Sequence, residues 1–285
     1  MYETQTILLS QEAYIKSIIA HFSFTNMKAY STPMVPAAQY LKADSPASAT
    51  DVACMCKVLY HKAIRSLMYA SVVTHPNITF VVSTLLQFLE NPGEAHWEAV
   101  KQVFHYLLGT RNVALTYGGE QHDLLGFTDA DGASQEHHCA ISGHAFIMDR
   151  GAVSWISCKQ ELVMLSTVEV EYVVATHTAK EGIWLCCLTG DIFPSEPESM
   201  TLYCDNQATL KLAQDNNYHA HMKHIDICYH FIHNVVECGL IELQYCPTDD
   251  MMADILTKAL PCWKVTQHML RLGLCHPCGG VMELK

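Results

Sequence analysis

The sequence predicts an α/β fold with a five-stranded mixed sheet flanked by helices, preceded by a small, mainly helical segment. Three observations support this prediction. Residues 51–110 carry apolar side chains at three- and four-residue intervals, which is typical of helices that pack together. After Gly118-Gly119 the pattern changes to strand-like runs separated by turn residues. Further along, helices alternate with two more strands, as in a sheet that helices cover.

The first segment, residues 1–118, is predicted to be mainly helical. A short β-type run, Gln5–Ser10, precedes a helix over Gln11–Phe22, for which Ser10 is a candidate N-cap. Residues 32–49 are rich in Ala, Ser and Pro and are predicted to form a loop. We expect a small helical bundle after this loop, made of helices Asp51–Val73, Ile78–Leu89 and Glu94–Leu108.

The second segment, residues 119–272, is predicted to hold the sheet, and residues 273–285 are predicted to be a tail. Three strands come first, with Asp149-Arg150-Gly151 as the turn between the last two. The predicted strands are Leu124–Asp129, Gly143–Met148, Val153–Ser157, Met200–Cys204 and Leu240–Cys246. The predicted helices are Thr167–Leu188, Gln207–Gln214, His224–Cys238 and Asp249–Lys258.

The composition excludes wholesale disorder, because 50% of the 285 residues are hydrophobic and 16% are charged. No apolar run approaches the roughly 20 residues that cross a bilayer, and no basic segment leads into an apolar one at the N-terminus. We therefore expect neither a signal peptide nor a membrane partner. In a chain without an export signal, 13 cysteines are expected to be reduced thiols.

The net charge of −12 is concentrated in the second segment. Residues 1–120 carry eight basic and eight acidic side chains, whereas residues 121–285 carry nine basic and 21 acidic ones. This balance argues against a nucleic-acid partner, because phosphate binding normally depends on Lys and Arg. Acidic side chains that converge on divalent cations would instead reverse the local field.

Four carboxylates fall where an α/β fold places reactive groups: Asp129, Glu171, Asp205 and Asp254. They lie on predicted strands, just after one, or early in helices, and strand ends and helix starts can meet along one edge of a sheet. Clustered carboxylates repel each other unless a cation neutralises them, and Mg²⁺ or Mn²⁺ prefers such oxygen ligands. The alternative is a capping role, in which the Asp205-Asn206 pair simply caps the next helix.

The ordered motifs over residues 124–260 resemble the ribonuclease H domain of Ty1/copia-type retrotransposon Pol polyproteins. The resemblance is carried by the order of the motifs and not by any one of them. They are Thr128-Asp129-Ala130-Asp131, Val153-Ser154-Trp155, Glu169-Val170-Glu171-Tyr172, Ala179-Lys180-Glu181, Tyr203-Cys204-Asp205-Asn206-Gln207, Lys223-His224-Ile225-Asp226 and Ala253-Asp254-Ile255-Leu256-Thr257-Lys258.

The first segment is similar to the end of the same family's reverse transcriptase, its thumb and connection. The motifs are Ser10-Gln11-Glu12-Ala13-Tyr14-Ile15, Ser31-Thr32-Pro33-Met34, Arg65-Ser66-Leu67-Met68-Tyr69, Asn91-Pro92-Gly93 and Tyr106-Leu107-Leu108-Gly109-Thr110. The sequence has no Tyr-x-Asp-Asp motif, so we expect no polymerase activity from this chain alone. The resemblance implies the palm and fingers of the polymerase as one partner.

The resemblance implies a Mg²⁺-dependent nuclease that hydrolyses the RNA strand of RNA–DNA hybrids. Two Mg²⁺ ions, which Mn²⁺ could replace, would be bound by Asp129, Glu171, Asp205 and Asp254. Asp129 would bridge the two ions, Asp205 and Glu171 would complete one site, and Asp254 the other. The family also implies a cytoplasmic location, with the nucleus as the alternative.

Several side chains are candidates to contact the nucleic-acid backbone of the hybrid: Lys159, Lys180, Lys223, His224 and Lys258. Trp155 and Tyr172 are predicted to be core residues and not stacking platforms. The sequence also departs from the family, with Gly132-Ala133-Ser134 where Trp-Ala-Gly is usual and with no arginines over residues 137–143. Lost guanidiniums remove phosphate contacts. The alternative function is therefore a catalytically inactive remnant that binds nucleic acid or a polymerase domain weakly.

A zinc-binding module is a third hypothesis for this chain. Cys275-His276-Pro277-Cys278 has the spacing of a metal-binding pair, and His219, His221 and His224 could complete the site. A zinc site usually needs two spaced pairs of ligands, and no second Cys pair is evident. The simpler interpretation is a polar loop and a frayed tail.

Overall fold

The computed structural model describes residues 6–36, 38–119, 123–132, 140–160, 167–193, 199–214 and 226–276. Its contacts divide the chain into two compact units. Within the described residues, the helical unit comprises residues 6–117 and 258–276, and the sheet unit comprises residues 118–257. In the described residues, no helix is both long and apolar enough to cross a membrane.

The described part of the helical unit contains six helices. All of them except the short second helix bury apolar side chains, through which they pack together. They are α1 (Glu12–His21), α2 (Ala49–Met55), α3 (Tyr60–Val73), α4 (Thr79–Leu86), α5 (Glu94–Thr110) and α9 (Cys262–Arg271). The sequence predicted one helix over Asp51–Val73, and the structure breaks it between α2 and α3. Helix α2 buries none of its residues, whereas α3 buries Tyr60, Ile64 and Leu67. The first segment therefore lies on the surface and the second packs into the core.

A small antiparallel sheet completes the helical unit. Strand β1 (Ile7–Leu9) pairs with β2 (Ala114–Tyr117), and β2 pairs with β8 (Leu274–Cys275). The sequence indicated only the first of these strands, and β2 and β8 were not predicted.

Residues 258–276 contact the helical unit, whereas the predicted division placed residues 258–272 with the sheet and called the following residues a tail. Two contacts account for the difference. Leu274 pairs with Leu115 across β8 and β2, and the hydroxyl of Tyr106 lies 2.9 Å from the sulfur of Met269 on α9. Helix α9 was not predicted, although Val265, His268 and Met269 lie buried on one face at helical spacing.

The sheet unit contains the predicted five-stranded mixed sheet, so the α/β class is confirmed. Its strands are β3 (Leu125–Asp131), β4 (Ile141–Met148), β5 (Gly151–Lys159), β6 (Met200–Cys204) and β7 (Ile241–Tyr245). Their order is β5-β4-β3-β6-β7. The first three strands are antiparallel neighbours, whereas β6 runs parallel to β3 and β7 parallel to β6.

Three helices pack over the sheet: α6 (Thr167–Ile192), α7 (Gln207–Gln214) and α8 (Asp226–Glu237). Their apolar side chains meet those of the strands in one core, which includes Phe146, Tyr172, Leu202 and Ile232. The hydroxyl of Thr178 on α6 donates to that of Thr128 at 3.1 Å, so Thr128 points toward α6. Because strand side chains alternate between faces, Asp129 points toward the other face.

A 3₁₀ helix over Met252–Leu256 lies against that other face, where the sequence predicted an α-helix over Asp249–Lys258. It packs on Gly143 of β4, the residue paired with Asp129 across the two strands. A Cβ at residue 143 would lie 2.7 Å from Cγ2 of Thr257 and 2.9 Å from Cβ of Leu256. The close approach of this segment to the sheet therefore depends on a residue without a side chain.

We expect Gly143→Ala to destabilise the sheet unit by about 1–3 kcal/mol, because the added methyl group overpacks the contact with residues 256 and 257. Urea unfolding of the full chain measures the change. Gly190→Ala is the matched control, since nothing lies within 4 Å of a Cβ at that exposed position of α6. That control should be neutral or stabilise by up to about 1 kcal/mol. Equal stability of the two variants would contradict the predicted packing.

Candidate active site

The structure brings all four predicted carboxylates into one cluster, at the end of the sheet toward which the inner parallel strands β3 and β6 run. Carboxylate oxygens of Asp129, Asp205 and Asp254 lie within 4.8 Å of one another. An oxygen of Glu171 lies within the same limit of Asp205 and of the thiol of Cys204. Asp205 is thus common to both groups.

Parallel pairing of β3 and β6 explains why Asp129 and Asp205 meet. Thr128 pairs with Cys204, so the next residue on each strand emerges at the same end of the sheet. Glu171 approaches from the first turns of α6, where its Oε2 atom lies 3.8 Å from the Cys204 sulfur. The two strands and the helix that covers them thereby converge on one point.

Asp254 reaches the cluster from the opposite face of the sheet, on the 3₁₀ helix that packs on Gly143. Thr257, at the end of the same segment, donates a hydrogen bond from its hydroxyl to Oδ2 of Asp129. Only 2% of Asp254 and 4% of Asp129 are exposed, so both carboxyls are largely removed from water.

Burial and like charge both act on the Glu171 carboxyl. Its pKa is raised to about 7, mainly by burial and in smaller part by the negative charges of Asp205 and Asp129. Hydrogen bonds from Asn206 and Cys204 act in the opposite direction. Burial also raises the pKa of the Cys204 thiol to about 12, so this sulfur is a neutral neighbour of the cluster and not a nucleophile.

The donor set of this cluster fits a hard divalent cation. Carboxylate oxygens are the ligands that Mg²⁺ and Mn²⁺ prefer, and a cation would offset the repulsion that raises the pKa of Glu171. The residues that could hold such ions are Asp129, Glu171, Asp205 and Asp254.

In the Asp205-Asn206 pair, Asn206 and not Asp205 caps the following helix α7. Its Oδ1 accepts hydrogen bonds from the backbone N–H groups of Ala208, at 2.8 Å, and Thr209, at 3.3 Å, at the start of α7. Asp205 instead accepts a hydrogen bond from the hydroxyl of Thr248 at 3.0 Å, which leaves it directed toward the cluster and not toward the helix.

The predicted nucleic-acid contacts occupy different places. Lys159 is exposed at the end of β5, where it pairs with Ile141, which in turn pairs with Asp131. Lys180 is exposed on α6, nine residues beyond Glu171, or about two and a half turns, so it leaves the helix on the other side. Its ammonium lies 5.3 Å from the centre of the Phe231 ring.

The remaining candidates are less defined. Lys258 is half-buried just after the 3₁₀ helix, and Lys223 and His224 lie outside the described residues. Tyr172 is fully buried in the core of the sheet unit, as predicted, whereas Trp155 is half-buried within β5 and does not belong to that core cluster.

The structure gives the zinc hypothesis no support among the described residues. The thiol of Cys275 lies 3.5 Å from the hydroxyl of Thr116, its neighbour in the small sheet. Cys278 and the three histidines of that hypothesis lie outside the described residues.

Three residues at the cluster escaped the sequence reasoning: Cys204, Thr248 and Thr257. Cys204 directly precedes the predicted ligand Asp205, and Thr257 follows the predicted ligand Asp254 by three residues. Both lie inside motifs that carry the family resemblance. Thr248 has no sequence signal, because its contact with Asp205 spans 43 residues.

The strand order and directions, with carboxylates at one edge of the sheet, define a ribonuclease H-like α/β domain. The chain is homologous to the retrovirus-related Pol polyproteins of copia-type transposons. The polyprotein from transposon TNT 1-94 of Nicotiana tabacum is 39% identical over 259 residues, 90% of this chain and 19% of that protein. The polyprotein from transposon RE1 of Arabidopsis thaliana is 33% identical over 254 residues, 88% and 17% respectively.

The chain therefore spans less than a fifth of the length of these curated relatives. No protein-family model matches it. Among solved structures, the N-terminal RNase H domain of Rv2228c from Mycobacterium tuberculosis is similar at 10% identity and a TM-score of 0.37, over 48% of this chain and 91% of that chain. The fold assignment rests on the strand order and directions described above.

We expect the Glu171 carboxyl to lower the stability of the metal-free protein as the pH rises from about 4.5 to about 7, whereas the lowered pKa values of the buried His75 and His144 raise stability over the same range. Because the pKa of Glu171 is raised to about 7 in the fold, the folded state keeps a proton that the unfolded state releases in this window. After a discount for partial exposure, the loss should be about 1–2 kcal/mol.

Urea unfolding at several pH values measures this dependence. Glu171→Gln removes this contribution, so its stability relative to the wild type should increase by about 1–2 kcal/mol between about pH 4.5 and 7, whereas Glu169→Gln, a change in the same helical turn, should keep a constant difference from the wild type. A wild-type profile in Glu171→Gln would show that another group causes the dependence.

Proposed function

We propose that the sheet unit hydrolyses the RNA strand of RNA–DNA hybrids and uses two divalent cations, Mg²⁺ or Mn²⁺. The observation that carries the proposal is the convergence of Asp129, Glu171, Asp205 and Asp254 within one cluster. Such ions would activate a water molecule and stabilise the charge that develops on the phosphodiester, so the reaction needs no nucleophilic side chain.

The side chains of the cluster would divide the work by position. Asp129, within β3, and Asp205, directly after the neighbouring parallel strand β6, form the rigid part that would bind the cations. Asp254 would close the other side from the 3₁₀ helix. Glu171 would complete the donor set from α6, and a bound cation would lower its raised pKa and keep the carboxyl ionised.

Hybrid recognition would depend on groove shape and 2′-hydroxyls and not on base sequence. Lys159 supports this proposal, because it is exposed at the same end of the sheet as the cluster. The cations would also counter the acidic balance of residues 121–285, which by itself repels a phosphate backbone.

Homology to Pol polyproteins supports a role within a larger assembly. In that setting the helical unit would contact the palm and fingers of the polymerase, and the chain would act in the cytoplasm. Strand β1 supports such a contact, because it is an edge strand whose Ile7 is 70% exposed.

A catalytically inactive remnant is the alternative proposal. It is favoured by the missing arginines over residues 137–143 and by Gly132-Ala133-Ser134, where the family usually has Trp-Ala-Gly. A remnant of this kind would keep the fold and the carboxylate cluster but bind the hybrid too weakly for turnover.

A cleavage assay on a labelled RNA–DNA hybrid separates the two proposals. With Mg²⁺ or Mn²⁺, we expect the full chain to cut the RNA strand, and Asp129→Asn, Asp205→Asn and Asp254→Asn to lower the rate about 1,000-fold. This loss corresponds to several kcal/mol of metal-dependent stabilisation of the transition state.

Asp131→Asn is the matched control, because Asp131 lies on the same strand as Asp129 but outside the cluster. It should stay within a few-fold of the wild-type rate. A wild-type rate in Asp129→Asn would indicate a contaminating nuclease, and a folded wild-type chain that never cleaves would establish the inactive remnant.

We also expect Lys159→Ala to weaken hybrid binding and Lys180→Ala to have a smaller effect. Loss of one phosphate contact should lower the slope of log K against log salt concentration by about 0.9. Binding titrations in Ca²⁺, at three salt concentrations, measure the slope. The opposite ranking would mean that the hybrid lies along α6 and not across the end of β5.

A further inference from the structure

We propose that Thr257 is a positioning residue of the carboxylate cluster, whose hydroxyl sets the orientation of Asp129 for cation binding. The inference rests on the proposed function and adds to it a residue that is not itself a ligand. Thr257 is fully buried, and its hydroxyl donates to Oδ2 of Asp129 across 128 residues of sequence.

Thr257 is fixed at both branches of its side chain. Its hydroxyl contacts Asp129, and its Cγ2 methyl group packs against the backbone of Gly143. Asp129 and Gly143 are paired residues on β3 and β4, so Thr257 contacts both members of one cross-strand pair. A β-branched side chain has few χ1 rotamers, and contacts at both branches select one of them.

The same residue connects Asp129 to the segment that carries Asp254. The backbone N–H of Thr257 donates to the carbonyl of Asp254 at 3.2 Å, and its hydroxyl lies 3.3 Å from that carbonyl. Asp129 and Asp254 come from opposite parts of the unit, a strand and a 3₁₀ helix. Thr257 is thus a direct link between the two elements that supply these carboxylates.

Such a link matters because the carboxylates repel each other before a cation binds. A hydrogen bond to a carboxylate is stronger than one between neutral groups, and it fixes the plane of the acceptor. Groups that hydrogen-bond to metal ligands and orient them typically change metal affinity about 10–100-fold when they are removed. The Thr257 hydroxyl has the contacts of such a group.

The test measures Mn²⁺ binding to the full chain by calorimetry and by the EPR signal of free Mn²⁺, so the readout does not depend on cleavage. Thr257→Val removes the hydroxyl but keeps the shape of the side chain. Thr257→Ser keeps the hydroxyl. Thr176→Val is the matched control, because Thr176 is equally buried but its hydroxyl donates to the backbone carbonyl of Tyr172 at 2.9 Å, within α6.

We expect Thr257→Val to weaken Mn²⁺ binding about 10–100-fold and Thr257→Ser to stay within a few-fold of the wild type. Thr176→Val should bind Mn²⁺ as the wild type does, even if its melting temperature falls as much as that of Thr257→Val. Wild-type affinity in folded Thr257→Val overturns the inference. Equal loss of affinity in Thr257→Val and Thr176→Val also overturns it, because the effect would then be general destabilisation.

Asp129→Asn separates this inference from the proposed function on which it rests. If Asp129→Asn abolishes Mn²⁺ binding while Thr257→Val does not weaken it, the cation site stands and the role of Thr257 fails. If Asp129→Asn binds Mn²⁺ as tightly as the wild type, the cation site itself is elsewhere, and both proposals fail.

Discussion

The parallel pairing of β3 with β6 is the interaction on which the candidate site depends. It places Asp129 and Asp205 at one edge of the sheet, although 76 residues separate them in the sequence. Backbone hydrogen bonds between these strands hold the two carboxylates close together, and Glu171 beside them has a pKa raised by its own burial and, in smaller part, by their charges.

The second requirement is the close approach of the 3₁₀ helix to the opposite face of the sheet. Gly143 permits this approach, and Thr257 converts it into a polar contact with Asp129. The cluster is therefore built from both faces of the sheet, with Glu171 on α6 and Asp254 on the 3₁₀ helix.

Kinship and activity have different physical grounds in this protein. Homology to Pol polyproteins extends over about 90% of the chain and includes the helical unit. The proposed activity would require the cluster and a surface that tolerates a phosphate backbone. The sequence retains the four acids but lacks the family's arginines over residues 137–143. The groups that would bind cations are therefore present, whereas the phosphate contacts of those arginines are missing.

The sequence by itself determined the fold class, most helices and strands of the sheet unit, and the four acids as a set. Periodic patterns and ordered motifs are local, so they remain visible without coordinates. Tertiary structure alone decided the break between α2 and α3, the strands β2 and β8, and the place of α9, because short elements form only where partners already exist. It also decided that Asn206 and not Asp205 caps α7, and that Thr257 contacts Asp129, since contacts between distant residues leave no periodic trace in a single sequence.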